Sequence, residues 1–206
     1  MPPDPMRPSI AIAIACGALA CASPGDRITY FEMAPRLEYQ GFSFERPPAP
    51  EWYMVRGEET FTQVTLRRDT GSPTHTYYAK VGLSTLERQP DSHEDFLELA
   101  KSKGQQAPYS IREVSLEQKP VTIQNQWCLR FESLSVVRGA PQASDRDLQM
   151  AVRGYRCLHP GFPKMSLDFF YSERGLADEL DPRLVEEGER FLGGVRIDVA
   201  PGTPAS

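Results

Sequence analysis

Residues 121–137 read VTIQNQWCLRFESLSVV and residues 148–159 read LQMAVRGYRCLH, and these two stretches decide the fold. Between them lies RGAPQASDRD, a segment rich in turn formers. Apolar residues recur at every second position in both stretches, the pattern of a strand with one face on a core. We therefore expect two strands of an antiparallel hairpin.

The hairpin predicts that two cysteines face each other. We take the register from Arg138 facing Asp147, and it sets Cys128 directly against Cys157. The same register produces three further favourable pairs, which are Glu132 with Arg153, Phe131 with Gly154, and Val137 with Leu148. Directly facing residues lie within disulfide reach, so we expect a Cys128–Cys157 bridge if the chain enters an oxidising compartment.

The rest of the chain adds further strands and two amphipathic helices. A first helix is predicted after Ser92, with Asp95 at its third position, and a second over residues 182–192 with Asp181 as its N-cap. Strand-like runs occupy residues 41–45, 52–55, 60–67, 75–86, 110–116 and 165–172. A mostly antiparallel sheet with a mid-chain helix and a C-terminal helix packed on it is an α+β fold.

The N-terminus has the layout of a secretory signal. Arg7 is followed by the apolar run from Ile10 to Ala20, and polar residues begin at Ser23. The run has roughly 11 to 13 residues, whereas a membrane-spanning helix needs about 20, so we expect export and cleavage rather than a mature transmembrane span. The true start is either Met1 or Met6, and a start at Met6 removes Asp4 and leaves a cleaner positive segment before the apolar run.

The segment Ala18-Leu19-Ala20-Cys21 resembles the lipobox of bacterial lipoproteins, in which the cysteine is acylated and becomes the new N-terminus. Ala18 departs from the leucine preferred at that position, and a second, similarly imperfect candidate ends at Cys16. We assign lipidation to Cys21. The resemblance implies a periplasmic protein anchored by its lipid, and Ala22 in place of aspartate implies the outer membrane. The alternative is an ordinary signal-peptidase cut after Ala20 or Ala22.

The sequence therefore divides into a signal peptide (1–20), a lipidated N-terminus and tether (21–40), a single α+β domain (41–199) and a disordered tail (200–206). Over residues 40–199 the order of elements resembles the PsbP-like α/β/α sandwich, which also occurs in small periplasmic lipoproteins of the DcrB type. The resemblance implies a protein that binds partners or assists an assembly. Its carriers are the strand at 41–47, the helix at Phe96-Leu97, the strands around Trp127 and Tyr155, and the closing helix and strand at 182–199.

No motif for catalysis, metal or cofactor binding stands out. The three histidines are scattered singly, no CxxC, Walker or dinucleotide motif occurs, and Gly82-Leu83-Ser84 is only half of a nucleophile elbow. Asp168, with Ser166 and Ser172, is interpreted as part of an outward strand face. A formal net charge of −5 disfavours binding to nucleic acid. We expect no enzyme activity, no catalytic residues, no metal and no cofactor.

These observations favour a non-catalytic, membrane-anchored periplasmic lipoprotein that binds an envelope protein or supports an assembly. One alternative is an inhibitor or immunity lipoprotein that blocks a toxin or hydrolase, for which an exposed acidic or aromatic loop would be the sign. A second is a periplasmic hydrolase whose site is assembled from distant residues. The predicted partner is thus an envelope or secreted protein, with membrane contact through the lipid anchor.

Overall fold

The computed structural model describes residues 27–55, 60, 62–101, 110–143 and 146–198. Within this part, eight strands form one sheet and three form a smaller one, and every pairing is antiparallel. The strands are β1 (Arg27–Thr29), β2 (Arg36–Tyr39), β3 (Phe42–Glu45), β4 (Trp52–Val55), β5 (Gln63–Arg68), β6 (Thr76–Thr85), β7 (Ser110–Ile123), β8 (Gln126–Arg138), β9 (Leu148–Leu158), β10 (Met165–Gly175) and β11 (Arg196–Ile197). The large sheet has the order β1-β4-β5-β6-β10-β9-β8-β7, and the small sheet the order β11-β3-β2.

Two helices, α1 (His93–Lys101) and α2 (Pro182–Gly194), lie where the sequence predicts them. The side chain of Ser92 accepts a hydrogen bond from the backbone N–H of Asp95 at 3.1 Å, which caps α1. The carboxylate of Asp181 accepts from the backbone N–H of Arg183 at 2.9 Å, and Pro182 follows it at the first helical position, where its missing N–H is not needed. The mostly antiparallel α+β fold is thus as predicted.

The helices pack on opposite faces of the large sheet. Leu184, Phe191 and Leu192 of α2 join the main core with Leu167 and its alternate neighbours, and the small sheet covers the same face. Phe96, Leu99 and Ala100 of α1 pack instead with Leu129 on the other face, because successive strand residues point to opposite sides. We call these the α2 face and the α1 face.

The predicted strand 121–137 is in fact two strands joined by a tight turn. Gln124 and Asn125 have φ angles of 49° and 62°, and Ile123 pairs with Gln126 directly across them. Such two-residue turns favour residues that tolerate positive φ, and asparagine is one of them. The turn lacks glycine and proline and interrupts a continuous alternating pattern, so the strand prediction ran through it.

The predicted tether of residues 21–40 is too long at its C-terminal end. Residues from Arg27 onward belong to the folded domain, since β1 pairs with β4 and β2 pairs with β3. Met33 is only 3% exposed, and Leu37 and Tyr39 pack against the main core. Burial of these apolar side chains in the core is more favourable in free energy than their exposure to water in a free tether.

The predicted signal peptide, Cys16, Cys21 and the predicted tail at 200–206 lie outside the described residues. No helix in the described ranges is long and apolar enough to span a bilayer.

Candidate functional site

The two cysteines of the predicted bridge lie opposite each other on β8 and β9. Cys128 pairs with Cys157, and the register found between these strands is the predicted one at all three supporting pairs. Their sulfur atoms are 2.06 Å apart, which is disulfide distance, and the Cα atoms are 4.0 Å apart. Both residues are fully buried in the main core on the α2 face, whereas Leu129 points to the α1 face. A pair without solvent access is suited to holding the sheet together rather than to redox chemistry.

Three polar residues singled out in the sequence meet on the α1 face. The hydroxyls of Ser84 and Ser166 each donate to the carboxylate of Asp168 at 3.0 Å. Arg156 forms two further bonds to the same carboxylate, at 2.8 and 2.9 Å, and a third to the carbonyl of Ala100 near the end of α1. Asp168 is therefore surrounded by donors, and the interpretation of this strand face as outward is wrong because α1 is docked over it.

The electrostatics of this cluster are those of a structural ion pair. Burial would lower the pKa of Arg156, but the charge and hydrogen bonds of Asp168 outweigh burial and raise it above its ordinary value. Burial lowers the pKa of nearby Lys80, and the negative charge of Asp168 partly offsets this decrease. Both serine hydroxyls are bonded to a carboxylate that is itself bound to a cation, so neither is paired with a base that could activate it.

The histidines occupy three separate environments. His159 is 1% exposed; its Nε2 lies 2.8 Å from the carbonyl of Gly41, and its Nδ1 accepts from the backbone N–H of Gly161 at 3.1 Å. The neutral ring is thus fully bonded, and burial lowers its pKa. His75 bonds Glu173 at 2.8 Å, and His93 stacks on Trp127. In the part of the chain that the structure describes, no three His, Cys, Asp or Glu side chains converge as a metal site would require.

Three arginines of the β8–β9 hairpin, Arg130, Arg138 and Arg153, form ion pairs within the domain. Glu132 lies between two of them, with Arg130 at 2.6 Å and Arg153 at 3.3 Å. Arg138 pairs with Asp147 at 3.3 Å, as the predicted register requires. These three arginines therefore already have carboxylate partners within the domain.

A recess of about 330 Å³ lies beside the C-terminal end of α2. The side chain of Gln124 forms one wall, because its amide donates to the carbonyl of Val195 at 2.9 Å and accepts from the N–H of Ile197 at 3.0 Å. The hydroxyl of Tyr171 donates to Glu189 at 3.2 Å, and burial raises its pKa to about 12. The recess is lined by Ile123, Gln124, Tyr155, Glu189, Leu192, Gly193, Val195 and Arg196. It brings together a carboxylate and a guanidinium but no nucleophile with its base.

The turn between β1 and β2 presents an aromatic side chain to solvent. Phe31 is 83% exposed, and Glu32 beside it is also exposed. The sequence prediction missed this feature because it placed the segment in the tether. The signal that could have found it is Tyr30-Phe31-Glu32 itself, an aromatic pair followed by an acid, between the alternating residues of two short strands.

Comparison with known proteins does not assign this chain to a family. No protein-family model matches the chain, and no curated protein matches it. Among solved structures the chain is similar to the 1.9 Å crystal structure of the Saccharomyces cerevisiae Ran-binding protein Mog1p, with 14% identity and a TM-score of 0.36. The similarity covers 79% of this chain and 94% of that one. A superposition this loose supports no statement about fold or function.

Proposed function

We propose that this protein is a non-catalytic lipoprotein, anchored in a bacterial envelope through Cys21 and facing the periplasm, where it binds another protein or supports an assembly. The observation that carries the proposal is the buried Cys128–Cys157 pair at disulfide distance. Two cysteines that face each other in a core are expected to be joined in an oxidising compartment, and the signal-like N-terminus leads to such a compartment.

Several features of the domain favour contact rather than catalysis. Asp168 is engaged in an ion pair with Arg156 and accepts from Ser84 and Ser166. The ring of His159 is bonded to backbone groups. The residues that line the recess beside α2 do not include the paired acid and base of a hydrolase. The packing of α1 and α2 on opposite faces is compatible with the PsbP-like sandwich, which we retain as the proposed family of folds.

Detergent phase separation of the full-length chain expressed in a bacterium tests the anchor. We expect the wild type in the detergent phase and Cys21→Ser in the aqueous phase, since the acylated cysteine carries more than one chain and two or more give stable anchoring. Cys16→Ser is the matched control, and it should still enter the detergent phase. Wild-type protein in the aqueous phase, indistinguishable from Cys21→Ser, would refute lipidation at Cys21.

One observation favours the inhibitor or immunity lipoprotein as a second candidate. The exposed turn that carries Phe31 and Glu32 is the aromatic and acidic loop expected of a protein that plugs another protein's site. A neighbouring gene for a secreted toxin or hydrolase would favour this candidate, and an envelope-assembly operon would favour the first. Purified neighbour protein, assayed with and without this chain, then separates the two by loss or retention of its activity.

A further inference from the structure

Phe31 is an outlier among the apolar side chains of the domain. In the described ranges, the large apolar residues with high exposure are Phe31 at 83% and Val114 at 52%. Val114 lies at the irregularity of β7 between Glu113 and Ser115, where an extra residue turns outward in any case. No such irregularity of the backbone explains the exposure of Phe31, and an exposed side chain does not contribute to the core.

The turn that carries Phe31 is fixed by hydrogen bonds on both sides. The guanidinium of Arg46 donates to the carbonyls of Tyr30 and Met33, each at 2.8 Å. The carboxylate of Glu32 accepts from both the N–H and the hydroxyl of Thr29, at 2.7 and 2.8 Å. The backbone N–H groups of Glu32 and Met33 also bond the carbonyl of Thr29. These hydrogen bonds hold the turn from its inner side, and Phe31 at its tip points outward.

Packing holds the same turn in place. Met33 is buried, Tyr30 packs against the main core, and the guanidinium of Arg46 lies 4.0 Å from the centre of the Tyr30 ring. The rings of Tyr30 and Phe31 meet edge to face with centroids 5.4 Å apart, which is a favourable aromatic contact. An aromatic side chain carried by a fixed turn loses little conformational entropy on binding, and this is a property of hot-spot residues.

We propose that Phe31 is the anchor of a protein-docking surface and inserts into an apolar pocket on a protein partner. The proposal rests on the proposed function, in that the domain acts by protein contact, and it names the residue that makes the contact. The carboxylate of Glu32 beside the ring and the net charge of −5 fit a pocket with a basic rim. The same charges oppose insertion into an anionic lipid surface, which attracts aromatic residues flanked by lysine and arginine.

Photo-crosslinking in the native bacterium tests the assignment. The full-length chain carries the benzophenone amino acid p-benzoylphenylalanine in place of Phe31, Val114 or Lys119, one position at a time, because Val114 and Lys119 are exposed on the edge strand β7. We expect a crosslink to one protein at position 31 and none to it at the other two. The crosslinked protein is identified by mass spectrometry, purified, and titrated with the wild type, Phe31→Ala and Val114→Ala.

The titration decides the proposal. Phe31→Ala should weaken binding at least about tenfold, as truncation of a hot-spot aromatic does, while Val114→Ala leaves binding unchanged. Circular dichroism should find both variants as stable as the wild type, since both side chains are exposed.

Three results would overturn the assignment: crosslinks only to lipid, with Phe31-dependent binding to vesicles of phosphatidylethanolamine and phosphatidylglycerol; crosslinks only to a second copy of this chain; or equal affinity of Phe31→Ala and wild type. A protein crosslink at position 114 or 119 without one at position 31 would refute the role of Phe31 but would still support a function in protein binding. The absence of a protein crosslink at all three positions would count against both the role of Phe31 and the proposed function in protein binding.

Discussion

Replacing both buried cysteines with alanine, Cys128→Ala with Cys157→Ala, is expected to lower the free energy of unfolding by about 4 kcal/mol. The two residues are 29 positions apart in sequence, and closing a loop of that length removes about 3.6 kcal/mol of chain entropy from the unfolded state at 25 °C. The lost sulfur atoms leave space in a fully buried part of the core, which adds to the loss. For a domain of this size a loss of about 4 kcal/mol should lower the melting temperature by about 8 to 16 °C.

Urea unfolding of periplasmically produced protein, followed by circular dichroism, measures this effect. The slope m should rise in the double variant, because an uncrosslinked chain exposes more surface when it unfolds. A reductant added with the urea should lower the midpoint of the wild type towards that of the variant, and it should leave the variant unchanged. A wild-type midpoint insensitive to reductant, or stabilities of wild type and variant within about 1 kcal/mol, would refute a Cys128–Cys157 bridge.

Three further predictions concern packing, charge and pH. Gly188→Ala should destabilise the domain by about 1 to 3 kcal/mol in thermal melts, because the new Cβ would lie 2.5 Å from a buried tyrosine ring, whereas Gly193→Ala, which meets no atom within 4 Å, should be neutral or slightly stabilising; equal effects would contradict the packing of α2. Arg156→Leu should cost about 1.5 to 3 kcal/mol by removing the cation that is hydrogen-bonded to the partly buried carboxylate of Asp168, and Arg156→Leu with Asp168→Leu should recover part of the loss, so a harmless single substitution would contradict the ion pair. Because burial lowers the pKa of His159, the unfolded state binds the proton more readily, and the stability that His159 contributes is present above pH 6.5 and declines as the pH falls below it; His159→Gln should flatten this part of the urea-midpoint profile, and an unchanged profile would refute the assignment.

The hairpin and its register could be predicted because several local signals agreed. Alternation fixed which residues share a face, and one charge pair at the loop fixed the offset, so that Cys128 against Cys157 followed. The helices were predictable for the same reason, since Ser92 and Asp181 mark their first turns by side-chain capping. These features depend on neighbours in sequence or on a single short loop.

The remaining features depend on contacts that no local pattern encodes. The membership of residues 27–40 in the domain follows from pairing of β1 with β4 and of β2 with β3, and short strands carry little alternation. The partial burial of Asp168 depends on α1 docking over its strand face, because a strand pattern shows two faces but not which is covered. The exposed position of Phe31 is invisible to a pattern that expects aromatic residues in the core.

The mass of the N-terminal peptide from the membrane-extracted, full-length protein tests the central proposal most directly. A lipoprotein that acts from a membrane anchor must begin at Cys21 and carry a diacylglycerol thioether on that residue. We predict a peptide that starts at Cys21 with this lipid mass, and the same peptide should be absent from Cys21→Ser. An unmodified peptide that starts at Cys21, Ala22 or Ser23 would contradict the anchored lipoprotein.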